Sequence, residues 1–317
     1  MALGLTDVLS KSRAPNTVKK YETYFNRWSK WCSGFEEVVV FPARDIHVVL
    51  FIVSLIQSRE SYSVIESCFY AIKHAHKIGN LDDPTSSSLT RYALEAAKRT
   101  CSRPVRKKEP ITPDHIKRIH VEMTVSGKMS LLHLRDFTMI LLCYSGFLRF
   151  EEVARLTLSD IVFNPLFMKI FIEESKTDQY RIGAWVFVAK MNSNFCPVEF
   201  TRNYIGRAEI TDLDDYLFRG VSYFKTLKDH KLRKHNKPIS YSTARSSILN
   251  YMKNIGLDES KFGTHSLRRG GATRAANNGI KDRLFQKHGR WKSVSAKDGY
   301  VDDDLENLLS VSLGLGL

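Results

Sequence analysis

The 317-residue chain is poor in several things, and each shortage narrows what it can be. Its five cysteines, Cys32, Cys68, Cys101, Cys143 and Cys196, lie far apart and form no Cys-x-x-Cys pair. An odd, scattered set argues for reduced thiols inside a cell. Long apolar runs are missing: the longest, Val48 to Ile56, contains Ser54 and is far too short to span a bilayer. The start, Met-Ala-Leu-Gly-Leu-Thr-Asp, has no basic segment leading into an apolar one, so no signal peptide is expected. No carboxylate cluster suggests a metal pair. His74 and His76, two residues apart, do not share a helix face, and His230 and His235 have no cysteine nearby, so no zinc site is expected either. Internal repeats and low-complexity segments are absent. Acidic residues are the last shortage: 34 Asp and Glu face 48 Lys and Arg, a formal net charge of +14 and a pI of about 9.5. Such a surplus points to a polyanion partner, most often nucleic acid.

What is present suggests two domains, with 43% hydrophobic residues to fill two cores. Residues 10–101 read as an all-α bundle of four helices. The first is capped by Asn16, with Val18, Tyr21, Tyr24, Phe25, Trp28, Trp31 and Cys32 at helical spacing and Lys19, Lys20, Arg27 and Lys30 on other faces. That basic face suits a helix lying across a phosphate backbone. Pro42 to Asp45 opens the second helix, Ser63 to Lys77 forms the third, and the fourth runs from near Thr85–Ser88 to near Arg99. Residues 102–110, with two prolines and the four basic residues Arg103, Arg106, Lys107 and Lys108, read as an extended basic linker, suited to lie on DNA or to serve as a nuclear-localisation patch.

Residues 111–317 form the second domain. Thr112-Pro-Asp114 caps a helix, and Leu131 to Leu142 is a strongly apolar one. It leads through a Gly146 break into Arg149, with Glu152 three residues on. An arginine emerging there needs a partner. Met168, Ile170 and Ile172 alternate along one strand and Ile182, Ala184, Val186 and Val188 along the next, a β-hairpin with Lys176 near its tip. A helix follows from Phe195–Val198 to about Ile205; the stretch from Phe224 to Pro238, holding Lys231, Arg233 and Lys234, reads as a solvated phosphate-contacting loop; Ser240 to Ile255 is helical. A short apolar helix with Leu305, Leu308, Leu309 and Val311 follows Asp302-Asp-Asp304 and needs something to dock on.

The stretch from His265 to Tyr300 organises the rest. His265 and Arg268, three apart, fall on one face of a helical turn and offer an anion an imidazole and a guanidinium fork together. Gly289-Arg290-Trp291 follows, and Tyr300 stands nine residues after Trp291. A tyrosine hydroxyl, with a free pKa of about 10, becomes a useful nucleophile when cations surround its target.

At these residues the chain resembles the tyrosine recombinases, the phage integrase family, whose signature is His-x-x-Arg, then His or Trp, then the nucleophilic Tyr nine residues on. The wording His265-Ser-Leu-Arg-Arg-Gly-Gly-Ala-Thr273 is most similar to recombinases of DIRS-like and Crypton-like mobile elements. The resemblance implies a mainly α fold with a small β-hairpin or sheet: an N-terminal SAM-like core-binding bundle and an α+β catalytic domain of the DNA breaking-rejoining type. It implies a site-specific DNA recombinase acting through a 3′-phosphotyrosine, without metal or cofactor. By this resemblance Arg149 and Arg268 would bind the non-bridging oxygens, Lys176 would protonate the leaving 5′-oxygen, His265 would hydrogen-bond the phosphate or take the tyrosine proton, Trp291 would donate its indole N–H, Glu152 would orient the network and Tyr300 would attack. Many members have glycine two residues before the first arginine; here Gly146 stands three before. Lys19, Lys20, Arg27, Lys30, Arg103, Arg106, Lys107, Lys108, Arg181, Lys231, Arg233, Lys234 and Arg269 are the expected DNA contacts. The implied assembly is a homotetramer on double-stranded DNA, with the C-terminal helix exchanged in trans and no membrane partner; the implied location is intracellular, nuclear in a eukaryote. The rival readings are type IB topoisomerase-like activity, an inactive domesticated DNA-binding descendant and a helical scaffold whose charge is incidental.

Overall fold

The computed structural model of the chain describes residues 12–315 apart from positions 105, 126, 176, 177 and 179, so Lys176 lies outside the described residues. The chain divides into two compact units between Arg106 and Lys107. The first is helical: α1 (Pro15–Cys32), α2 (Asp45–Gln57), α3 (Tyr62–Ile78) and α4 (Ser88–Cys101). The first helix starts two residues earlier than a cap at Asn16 would set it, with Pro15 at the first helical position. Proline fits there because its missing N–H would have had no helical partner. Trp28, Cys32, Phe51, Ile52, Ile65 and Ile72 form the core. Lys19, Lys20 and Lys30 are exposed, whereas Arg27 is engaged by Glu60.

The second unit is built around α6 (Leu131–Ser145), preceded by α5 (Pro113–Thr124), whose N-terminus Thr112 caps by accepting from the His115 N–H at 3.2 Å. Most of α6 is buried, from Leu131 to Cys143. Its apolar run hides a polar pair: Arg135 donates to Asp136 at 2.6 and 2.8 Å and to the Arg219 carbonyl at 3.0 Å, and the Tyr251 hydroxyl donates to Asp136 at 2.9 Å. Satisfied on these sides, the buried charges escape the cost of an unpaired ion.

After the one-turn α7 (Phe150–Ala154) come β1 (Ile161–Phe163), β2 (Phe167–Ile172) and β3 (Ala184–Ala189), an antiparallel sheet in sequence order. Met168, Ile170 and Ile172 point into the core and pair with Val188, Val186 and Ala184. Ile182 departs from the expected alternation: it precedes β3 and is 84% exposed, because Arg181 and Gly183 both take positive φ and turn the backbone there. Residues 173–183 connect the two strands.

The helix α8 (Pro197–Arg207) packs on α6. The stretch expected to be a loop from Phe224 is instead partly a second hairpin, β4 (Val221–Phe224) with β5 (Asp229–Leu232). None of its eight strand residues is fully buried, so the pair shows no apolar alternation to read. Lys231, Arg233 and Lys234 are exposed on and after it. Then follow α9 (Tyr241–Asn254), α10 (Thr264–Asn277), α11 (Asp282–Gly289), α12 (Val294–Asp298) and α13 (Leu305–Leu313). The described residues of the expected linker form no helix or strand; Glu109 N–H donates to the Lys261 carbonyl at 2.8 Å and, just after the linker, Ile111 N–H donates to the Ser266 carbonyl at 3.0 Å.

Candidate active site

Helix α6 ends at Gly146, and the next residue, Phe147, takes a left-handed φ of 47°. For a residue with a Cβ this costs roughly 1–2 kcal/mol. Phe147 stands two before Arg149, the position at which the resemblance leads one to expect glycine. Its ring repays the strain by burial, 5.9 Å from the rings of both Phe285 and Trp291 and edge-on to His288 at 4.6 Å. The turn sends the chain into Arg149, the N-cap of α7.

Glu152, on the first turn of α7, holds the site's charge. Its carboxylate accepts from the Arg149 backbone N–H at 2.8 Å and from Arg149 Nη1 at 2.7 Å. It also accepts from Arg290 Nη2 at 2.5 Å, and Arg268 Nη1 lies 3.9 Å away. The carboxylate is 3% exposed and its three arginines 12%, 10% and 0%. Three guanidinium groups therefore share one buried anion, leaving an excess of positive charge that a phosphate would offset.

Arg268 projects from the middle of α10. Its terminal nitrogens donate to the carbonyls of Phe147 and Gly289, the latter at 2.6 Å. Its guanidinium lies 4.9 Å from the Trp291 ring centroid and 5.0 Å from that of Tyr300. Cation–π attraction in a desolvated setting is worth about 2 kcal/mol. Burial, then the neighbouring charge of Arg149, push its pKa down to about 10, so it stays protonated at neutral pH. The neighbours of Arg268 explain the Gly270-Gly271 pair: a Cβ on Gly270 would stand 1.9 Å from the Ile111 carbonyl oxygen, and one on Gly271 2.0 Å from that of Tyr144.

Trp291 is buried between Phe285, at 5.2 Å, and Tyr300, at 5.4 Å. Its indole N–H has no partner among the described residues. The Tyr300 segment is fastened at several points. Thr273 Oγ1 donates to the Tyr300 carbonyl at 3.3 Å, and Lys297, 5% exposed, donates to Asp282 at 2.6 Å. Arg269 pairs with Asp302 and donates to the Lys108 carbonyl at 3.0 Å.

Arg149, Glu152, Arg268, Trp291 and Tyr300 are thus brought together. His265 is exposed on the first turn of α10 while Arg268, three residues on, is fully buried, so the two differ in environment despite their spacing. Ser175 and Asp178, on either side of the hairpin tip, exchange backbone hydrogen bonds of 3.2 and 2.9 Å. Arg181 is exposed and paired with Glu173 and Glu174. Arg103, Arg106, Lys107 and Lys108 have exposed side chains. Arg269 is largely withdrawn from solvent: its 9% exposed side chain is bonded to Asp302 and to the Lys108 carbonyl and tethers the Tyr300 segment. Arg290 was missed. It follows α11 with a left-handed φ of 57° and reaches Glu152, 138 positions away in sequence. The only local signal was a basic residue wedged between Gly289 and Trp291.

Residues 109–306 match the model described as phage integrase family. The chain is 26% identical over 298 residues to the integrase/recombinase xerD homolog of Selenomonas ruminantium, covering 93% of this chain and 83% of that protein. Among solved structures it is similar to the XerH site-specific recombinase bound to a palindromic difH substrate, with a TM-score of 0.63 at 14% identity, covering 93% of this chain and 79% of the other. It is also similar to the lambda integrase tetramer bound to a Holliday junction, with a TM-score of 0.57 at 16% identity, covering 95% and 77%. These likenesses establish the shared, mainly helical fold.

Proposed function

The chain belongs to the phage integrase family, the tyrosine recombinases, and is a DNA strand transferase of that type; we propose that its reaction is carried by Tyr300 with the arginines gathered on Glu152. The Tyr300 oxygen attacks a backbone phosphorus and the bond from phosphorus to the 5′-oxygen breaks. The products are a 3′-phosphotyrosine and a 5′-hydroxyl. The tyrosine proton passes to His265, and Lys176 supplies the proton taken up by the leaving oxygen. Arg149 and Arg268 neutralise charge that builds on the non-bridging oxygens, and Trp291 offers its unpartnered N–H to one of them. Rejoining runs the same steps backwards with another strand's 5′-hydroxyl, so the phosphodiester energy is retained.

The observation that carries this reading is the single buried carboxylate shared by three arginines beside the Tyr300 and Trp291 rings. A purely structural ion pair would need one arginine. The exposed leucines of α13, Leu305 at 70%, Leu308 at 59% and Leu313 at 78%, support docking of this helix on a second copy within a tetramer on two DNA sites. Among the described residues no helix is long and apolar enough to cross a membrane. The wording around Arg268 favours a mobile element as the source, and the exposed basic residues before Glu109 favour nuclear import in a eukaryotic host.

The test is to incubate the full chain with a nicked, random-sequence duplex library, trap covalent complexes and sequence the attachment points. Wild-type protein is expected to become linked at a defined sequence. The Tyr300→Phe variant should bind DNA nearly as well, since Lys and Arg contacts dominate affinity, yet give no adduct. An adduct formed by the Phe variant refutes the assignment.

A further inference from the structure

Arg290 is one of the three arginines on Glu152 but touches no reacting atom in the reaction just described, yet its position is costly. The residue holds a left-handed backbone without being glycine, and its side chain is 10% exposed. One edge of its guanidinium is spent on Glu152 through Nη2. Its other two nitrogens, Nε and Nη1, are buried and have no hydrogen-bond partner among the described residues. Burial lowers the pKa of the group, and Glu152 works in the opposite sense by stabilising its charge. Unpaired N–H groups on a buried cation cost free energy unless a ligand supplies the acceptor.

A cavity of about 210 Å³ lies beside it, lined by Arg290, Lys292, Ser175, Asp178 and Gly183 among others. Two of these are cations. The carboxylate of Asp178 is already occupied, accepting from the backbone N–H of Ile182 at 3.2 Å and of Gly183 at 2.8 Å. The opposite wall is formed by Ser175, Asp178, Ile182 and Gly183, from the connection between β2 and β3. In the reading above, Lys176 of that connection supplies the proton taken up by the departing 5′-oxygen.

We infer that Arg290 and Lys292 form a second phosphate site, distinct from the Arg149–Arg268 clamp, which holds the backbone phosphate next to the scissile one on the leaving side. This rests on the proposed strand-transfer chemistry and adds what that chemistry lacks, a grip on the strand that must stay aligned for rejoining. Glu152 bonds both arginines, Arg149 of the scissile clamp and Arg290 of the second site, and so sets their spacing. Arg290 is in this sense a substrate-binding residue. The phosphate accepts from the unpartnered Nη1 of Arg290, and the exposed Lys292 closes the cavity from the solvent side.

Phosphate-by-phosphate neutralisation tests it. Duplexes carrying the selected cleavage sequence are made with one methylphosphonate at each position around the cleavage point. Affinity and covalent trapping are then measured for wild type, Arg290→Lys, Arg290→Gln and Lys292→Ala. Loss of one charge-assisted contact corresponds to about tenfold to a hundredfold. Wild type is expected to lose that much at the leaving-side neighbour, while Arg290→Gln loses little more there, having lost the contact already. Arg290→Lys should stay sensitive, and Lys292→Ala should be partly insensitive at that same phosphate. Neutralising the scissile phosphate should affect all four proteins alike. Equal sensitivity of wild type and Arg290→Gln at every flanking position overturns the second site, and so does coupling confined to the scissile phosphate. Position-specific coupling in affinity with no adduct from wild type would keep the site and sink the strand-transfer reading; adducts without coupling would do the reverse.

Discussion

Changing Glu152 to Gln isolates the charge at the centre of the site. Glutamine keeps the shape and one carbonyl acceptor but removes the anion. Arg149 and Arg290, at 12% and 10% exposure, then face each other and Arg268 with no counter-charge. Breaking a buried ion pair by removing one partner costs about 3–5 kcal/mol. The second unit runs from Lys107 to Leu317. For a unit of roughly 200 residues, 1 kcal/mol moves the melting temperature by about 2–4 °C, so a fall of about 6–20 °C is expected. The sign of the DNA effect follows from the same electrostatics. A phosphate brought to the three arginines supplies the missing negative charge, so saturating DNA should raise the variant's melting temperature more than the wild type's. Thermal unfolding followed by circular dichroism, with and without DNA, reads both quantities. A Gln variant melting within about 2 °C of wild type would show that the carboxylate does not hold the cluster together, and an equal DNA shift for both proteins would remove the shared-anion argument.

Lys176→Ala should be slow on ordinary DNA and largely recovered on a substrate with sulfur at the bridging 5′ position. A thiolate, whose conjugate acid has a pKa near 8.5 for a Cys-like thiol, leaves without a proton; failure to recover would place the general acid elsewhere. Arg268→Ala should lose on the order of a hundredfold in cleavage and stay unrecovered by sulfur, because its charge faces the non-bridging oxygens; rescue would reassign it. Cutting the chain after Asp303 should reduce assembly on DNA more than DNA binding, and sedimentation showing an unchanged tetramer would exclude docking of α13 in trans. His288 is kept below its ordinary pKa of 6.5 mainly by burial, with its Nε2 2.8 Å from the Ser145 carbonyl. The unfolded chain therefore binds the extra proton, and the stability this group contributes is present above pH 6.5 and lost as the pH falls below it. Unfolding midpoints between pH 8 and 5 should show this loss, with a shallower slope in His288→Gln; an unchanged slope would refute it.

Much of the fold was legible because its cues are local. The helical spacing of Trp28 and Cys32, the Thr112-Pro113 cap and the alternation of Met168, Ile170 and Ile172 each depend on neighbours within a turn or a strand. The β4–β5 hairpin was not legible, since neither of its faces is buried. The pair Arg135–Asp136 was hidden because a partner such as Tyr251 stands 115 positions away. A charged pair inside an apolar helix gives no sequence cue of whether it is satisfied.

The candidate site divides along the same line. The spacing of Arg149 with Glu152, of His265 with Arg268 and of Trp291 with Tyr300 could be read from the sequence by itself, because each spans one helical turn or one short motif. Which basic residues are buried could not. Arg268 and Arg269 are adjacent and chemically identical. One stacks on Trp291 and Tyr300, while the other ties Asp302 to Lys108. Nor does anything local distinguish Arg290 from the other 47 lysines and arginines. Only the tertiary structure sets it against Glu152, because burial and charge pairing depend on the distance between residues far apart in the chain.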